Sequence, residues 1–152
     1  MSDRNAPVGV FDSGVGGLTV AREIMRQLPN ERIVYFGDTA RVPYGSKSRD
    51  TVLRYSRQII RFLRTREVKA IVIACNTATS VAASAMRQKY DIPIIGIEPA
   101  VKPAVEQSHG RRVMVVATPL TIREEKLKNL VDRVDNAHHV DLLPLPELVT
   151  FA

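Results

Sequence analysis

The 152-residue chain is 45% apolar and 25% charged, enough for one packed domain or one and a half small ones. No apolar run approaches membrane-spanning length, residues 1–7 lack a signal-peptide core, and a single cysteine excludes an internal disulfide framework, so the cytoplasm is the expected compartment. The net charge of +6 is concentrated in Arg54, Arg57, Arg61, Arg64, Arg66 and Lys69; the first four share one helical face, which reads as a solvated surface. With no tryptophan and no recognisable nucleic-acid module, DNA or RNA is disfavoured as a partner.

Val8-Gly9-Val10-Phe11-Asp12 is a short apolar strand that stops on a carboxylate, and Ser13-Gly14-Val15-Gly16-Gly17 is a glycine-rich turn. Leu18, Ala21, Ile24, Met25 and Leu28 then recur at helical spacing until Pro29-Asn30. The turn lacks dinucleotide spacing and a P-loop lysine, so it reads either as a generic anion site or as a tight turn without a ligand. Asp12 is a helix cap or a group facing the crevice at the strand ends.

Ile33-Val34-Tyr35-Phe36 is the second strand, followed by Gly37-Asp38-Thr39 and a long loop through Tyr44 and Gly45 to Ser48, of the kind that carries binding groups. The next helix has Val52, Ile59, Ile60 and Leu63 as its inner face.

Residues 70–74 form a third apolar run, suited to a strand covered on both faces, and it delivers Cys75 to a helix capped by Asn76 or Thr77. A sulfur there is either an inert small hydrophobe or a thiolate favoured by the helix N-terminus. Val81, Ala85 and Met86 give that helix its apolar side. Further strands are read at residues 93–97, 113–117 and 140–145, with helices near residues 100–108 and from Thr121, where Glu124 completes a capping-box pattern. Six strands alternating with five helices predict a doubly wound parallel α/β sheet. Its carboxyl edge would hold Asp12, Ser13, Asp38, Thr39, Cys75, Asn76, Thr77, Glu98 and Thr118, a set suited to a small polar ligand. No histidine and no metal-ligand spacing occur there, and His138-His139 read as a solvated connection.

Four stretches carry a family resemblance: residues 9–20, 37–45, 74–79 (Ala-Cys-Asn-Thr-Ala-Thr) and 117–121. Through them the chain resembles glutamate racemases, the cofactor-independent enzymes of the aspartate/glutamate racemase family that supply D-glutamate for peptidoglycan. The third stretch is shared more widely in that family, whereas the first two point to glutamate. The resemblance implies that Cys75 is one of two catalytic thiols and that Asp12 assists it by hydrogen bonding and by tuning its protonation. It also implies glutamate contacts from Asp12, Ser13, Tyr44, Gly45, Asn76, Thr77, Thr118 and Thr121, with no cofactor and no metal. These residue types suit the chemistry: removing an α-proton without an electron-sink cofactor calls for a base on one face, an acid on the other and donors around the carboxylate.

The family has two similar lobes. The resemblance places residues 1–97 in lobe one, without its completing segment, and residues 98–152 at the start of lobe two. The second family cysteine, in a Cys-Thr-His segment, would fall beyond residue 152, so the chain resembles a truncated racemase expected to be inactive alone and prone to form homo-oligomers. The competing expectations are an aspartate racemase, a non-catalytic glutamate-binding module, and a module contacting protein or nucleic acid, such as a topoisomerase, through the arginine-rich helix.

Overall fold

A computed structural model describes residues 4–148. Its elements run β1 (Val8–Asp12), α1 (Leu18–Gln27), β2 (Ile33–Gly37), α2 (Arg49–Arg64), β3 (Ala70–Ile73), α3 (Asn76–Lys89), β4 (Ile94–Gly96), α4 (Val101–Gln107), β5 (Val113–Ala117), α5 (Pro119–Arg123), α6 (Glu125–Val134) and β6 (Val140–Pro144). The strands form two parallel sheets rather than one: β2-β1-β3-β4, and a separate pair β5-β6. After β4 the chain leaves the first sheet through Pro99, which has no N–H to extend a ladder, and β5 finds its partner in β6 instead.

Strand alternation divides the core of the first sheet. Phe11, Ile71 and Ile73 face α2 and α3, where Val52, Ile59, Ile60, Leu63, Val81 and Met86 are buried against them. Val10 and Ala74 face α1, which buries only Ala21 of its apolar stripe, and Leu18, Met25 and Leu28 are each about half exposed. The expected inner face of α1 is thus only partly used: among the described residues one helix alone packs on that side, and it lies along edge strand β2. In the second sheet Val101, Leu127 and Leu130 pack with Val115 and Val140, while Met114 (63% exposed) and Val116 point away from them. No helix among the described residues is long and apolar enough to cross a membrane.

Two helix starts differ from the sequence expectation. Cys75 itself, in extended conformation, is the N-cap of α3, and its Sγ accepts a hydrogen bond from the Ala78 N–H at 3.4 Å. Thr118, not Thr121, caps the helix after β5, because Pro119 is pre-set for the first helical position. Glu124 then turns extended and splits the expected single helix into α5 and α6, so that Thr121 lies inside α5.

Candidate active site

All strands of the first sheet point their carboxyl ends the same way, and β1 and β3 are adjacent, so Asp12-Ser13 and Cys75-Asn76-Thr77 emerge side by side. Above them opens a cavity of about 700 Å³, within the range of small-molecule sites. Asp12, Ser13, Cys75, Asn76 and Thr77 line one wall, and Thr118 and Thr121 line another.

Asp12 organises the loop that follows it. Its Oδ2 accepts hydrogen bonds from the Gly14 N–H at 3.1 Å and the Gly17 N–H at 3.0 Å, so the glycine-rich turn closes around a carboxylate of the chain's own. A Cβ on Gly17 would lie 2.6 Å from the Asp12 Cβ, which explains why the position has none. The Cys75 sulfur lies 3.5 Å from the Ser13 hydroxyl and accepts from the Ala78 N–H; the Ser13 backbone also bonds to it, and Asp12 acts on it through charge.

Cys75 is 7% exposed. Burial pushes its thiol above the ordinary range, the Ala78 N–H and Ser13 pull it back in part, and the Asp12 charge adds to the rise. The sulfur therefore rests protonated at neutral pH, as a proton donor first and a base only after losing that proton.

Three hydroxyls join the first half of the chain to the second. Thr77 Oγ1 lies 3.0 Å from Thr118 Oγ1 and 3.1 Å from Thr121 Oγ1, and the latter two are 2.9 Å apart. In a closed trio of this kind each hydroxyl donates once and accepts once; Thr118 Oγ1 also accepts from the Thr121 N–H at 3.3 Å, so the lone pairs left over are on Thr77 and Thr121.

Tyr44 and Gly45 are not on the cavity surface. Tyr44 is buried, donates its hydroxyl to Asp38 and packs in the cluster that holds Cys75; burial first, then the bond to Asp38, pushes its phenol far above the usual range. The same Asp38 accepts from Arg41 Nε at 2.9 Å, which ties down the long loop after β2. Gly45 fits against Thr118: a Cβ there would lie 2.4 Å from the Thr118 Cβ. Glu98 pairs with Arg133 at 3.4 Å and is outside the cavity lining, whereas Thr39 belongs to it. Tyr35, not singled out by the sequence, donates to the Gly14 carbonyl at 3.2 Å and touches the turn from below. Only its place two residues before Gly37 hinted at this. Among the described residues no group of histidine, cysteine and carboxylate side chains is arranged to hold a metal ion.

Residues 8–144 match the Asp/Glu/Hydantoin racemase family. The chain belongs to that family. Among its racemase relatives are glutamate racemase of Halothermothrix orenii, 54% identical over 145 residues that make up 95% of this chain and 57% of that protein, and glutamate racemase 2 of Bacillus subtilis, 51% identical over 95% of this chain and 56% of that one. The chain thus spans little more than half the length of these relatives. Similar solved structures include the RacE1 glutamate racemase of Bacillus anthracis (TM-score 0.86, 38% identity, 97% of this chain and 56% of that one). Another is Escherichia coli glutamate racemase in complex with L-glutamate and the activator UDP-MurNAc-ala (TM-score 0.86, 35% identity, 95% and 55% covered). The α/β architecture is that of these racemases.

Proposed function

We propose that this chain carries the substrate-holding wall and one of the two acid–base thiols of a glutamate racemase that supplies D-glutamate for peptidoglycan. The observation that carries the reading is the Cys75 sulfur, placed at a helix N-terminus and against a hydroxyl on the wall of a cavity with ample room for an amino acid. It is supported by glutamate racemases of similar fold solved with L-glutamate and, from Francisella tularensis (TM-score 0.80, 40% identity, 97% of this chain and 56% of that one), with D-glutamate. Residues 1–97 are read as lobe one and residues 98–152 as the start of lobe two, in keeping with the division between the two sheets.

In this reading Ser13, Asn76, Thr77, Thr118 and Thr121 hold the carboxylates of glutamate, and Gly45 seats Thr118 from behind. The Cys75 thiolate takes the α-proton from the face it meets, breaking C–H and forming S–H, while charge spreads into the substrate carboxylate. Inversion requires a second acid to protonate the opposite face. The sequence has one cysteine, so the chain alone returns a proton only to the face from which it came.

The test is incubation with D- and L-glutamate separately in D2O. One enantiomer should gain α-deuterium without inversion, faster as pH rises toward the raised thiol range, and Cys75→Ala should abolish the exchange. Absence of exchange with either enantiomer, or exchange that survives Cys75→Ala, contradicts the proposal.

Self-association belongs to the same reading. The exposed Met114 and Val116 face and the half-exposed stripe of α1 are apolar surface of the kind proteins cover. Sedimentation should show concentration-dependent oligomers that Met114→Lys weakens, and an unchanging monomer across micromolar to millimolar concentration counts against it.

A further inference from the structure

Three features converge on the carbonyl of Gly14, the residue after Ser13. The Tyr35 hydroxyl donates to the Gly14 carbonyl at 3.2 Å. A Cβ on Gly37 would lie 2.6 Å from that same carbonyl oxygen, so the turn rests directly on β2 at the one residue without a side chain. A Cβ on Gly17 would come within 3.0 Å of the Tyr35 hydroxyl, which closes the seat from the other side. The Tyr35 ring is itself fixed, packed with the cluster of Val10, Ala21 and Ala74 on the α1 side of the sheet. Tyr35 does not line the cavity, so it acts on the site only through what it holds.

We propose that Tyr35 is a positioning residue: by fixing the Gly14 carbonyl it keeps the Ser13 hydroxyl in contact with the Cys75 sulfur, and so favours the thiolate. Ser13 Oγ lies 3.5 Å from that sulfur, near the outer limit of a useful contact, so a small displacement of the turn loses it. The phenol is pushed up to about 12, by burial first and then by the charges of Asp12 and Cys75, so it remains a donor at neutral and mildly alkaline pH. The titratable groups that face the sulfur are Asp12 at the end of β1, Tyr35 on β2 and Tyr44 in the loop beyond; α3 offers it the Ala78 amide. Removing the Tyr35 hydroxyl changes none of the charges at neutral pH, and its effect reads out through Ser13.

The assignment rests on Cys75 being the acid–base group, yet its test needs no turnover. The chain has one cysteine, so the rate of iodoacetamide alkylation against pH reports that thiol alone. Tyr35→Phe should move the midpoint of the profile upward by about half a pH unit, the effect of one partly lost hydrogen bond. Ser13→Ala should also move it upward, and Tyr35→Phe added to Ser13→Ala should move it further by less than Tyr35→Phe does alone. Gly37→Ala, which displaces the Gly14 carbonyl by a different route, should shift the profile in the same direction. Tyr90→Phe, which removes a buried hydroxyl far from the turn, should leave it in place. Circular dichroism confirms that each variant is folded. A Tyr35→Phe profile that superimposes on the parent, or effects of Tyr35→Phe and Ser13→Ala that simply add, overturns the proposal. A chain that shows the shift but exchanges no α-proton loses the racemase reading and keeps this one.

Discussion

Asp12→Ala should cost stability on the order of 1 to 3 kcal/mol for the buried Gly17 amide alone, with a smaller further loss from the half-buried Gly14 amide. Both N–H groups donate to the same carboxylate oxygen, and the turn that carries them is pressed between Asp12, Ala74 and Tyr35, with little room for a water to take over. The melting temperature should fall by about 2 to 4 °C per kcal/mol in a chain of this size. Asp12→Asn, whose carbonyl can still accept, should lose less than half as much. Thermal unfolding of the two variants checks this: equal losses would mean that charge, and not the acceptor, holds the turn. Because Ser13 begins that turn, Asp12→Ala should also slow α-proton exchange more than its stability loss explains.

The second large effect is at Gly45. An added Cβ would sit 2.4 Å from both Cβ and Cγ2 of Thr118, distances at which backbone has to move, since Thr118 Cβ is no flexible tip. Overpacking of this kind costs about 1 to 3 kcal/mol. The displaced Thr118 also loses its cap on α5 and its place between Thr77 and Thr121. Gly45→Ala should therefore lower the melting temperature and weaken glutamate binding together. Thr118→Gly placed on top of it should restore stability, because it removes the clash and retains a tolerated cap residue. If the double variant is no more stable than Gly45→Ala, the contact with Thr118 is not the cause.

The strand ends were legible in the sequence because each apolar run stops abruptly on polar residues: Phe11 on Asp12-Ser13, and Ala74 on Cys75-Asn76-Thr77. That pattern alone brings the thiol and the glycine turn to one edge once β1 and β3 pair. The inner face of α2 was legible for the same reason, since Val52, Ile59, Ile60 and Leu63 repeat at one spacing and are all buried.

The division into two sheets was not legible in the periodicity, which says which residues are buried but not which edge a strand joins; only the family resemblance placed a boundary near residue 97. The break at Glu124 was hidden by a capping-box pattern that Pro119 pre-empted. Tyr44 illustrates a third limit. Asp38, six residues before it, takes its hydroxyl, and the cluster around Cys75 from other segments draws the ring inward, a packing that no local pattern encodes. Tyr35 reads as an ordinary strand aromatic, and its role emerges only when the Gly14 carbonyl is seen to rest on it.

The sulfur of Cys75 and the cavity before it are tested together by alkylation in the presence of glutamate. In the folded chain at mildly alkaline pH, iodoacetamide should modify Cys75, and glutamate should slow the reaction saturably, with one enantiomer protecting at lower concentration than the other. A rate that glutamate leaves unchanged at every concentration, or a sulfur that reacts only after the protein is unfolded, would contradict the account.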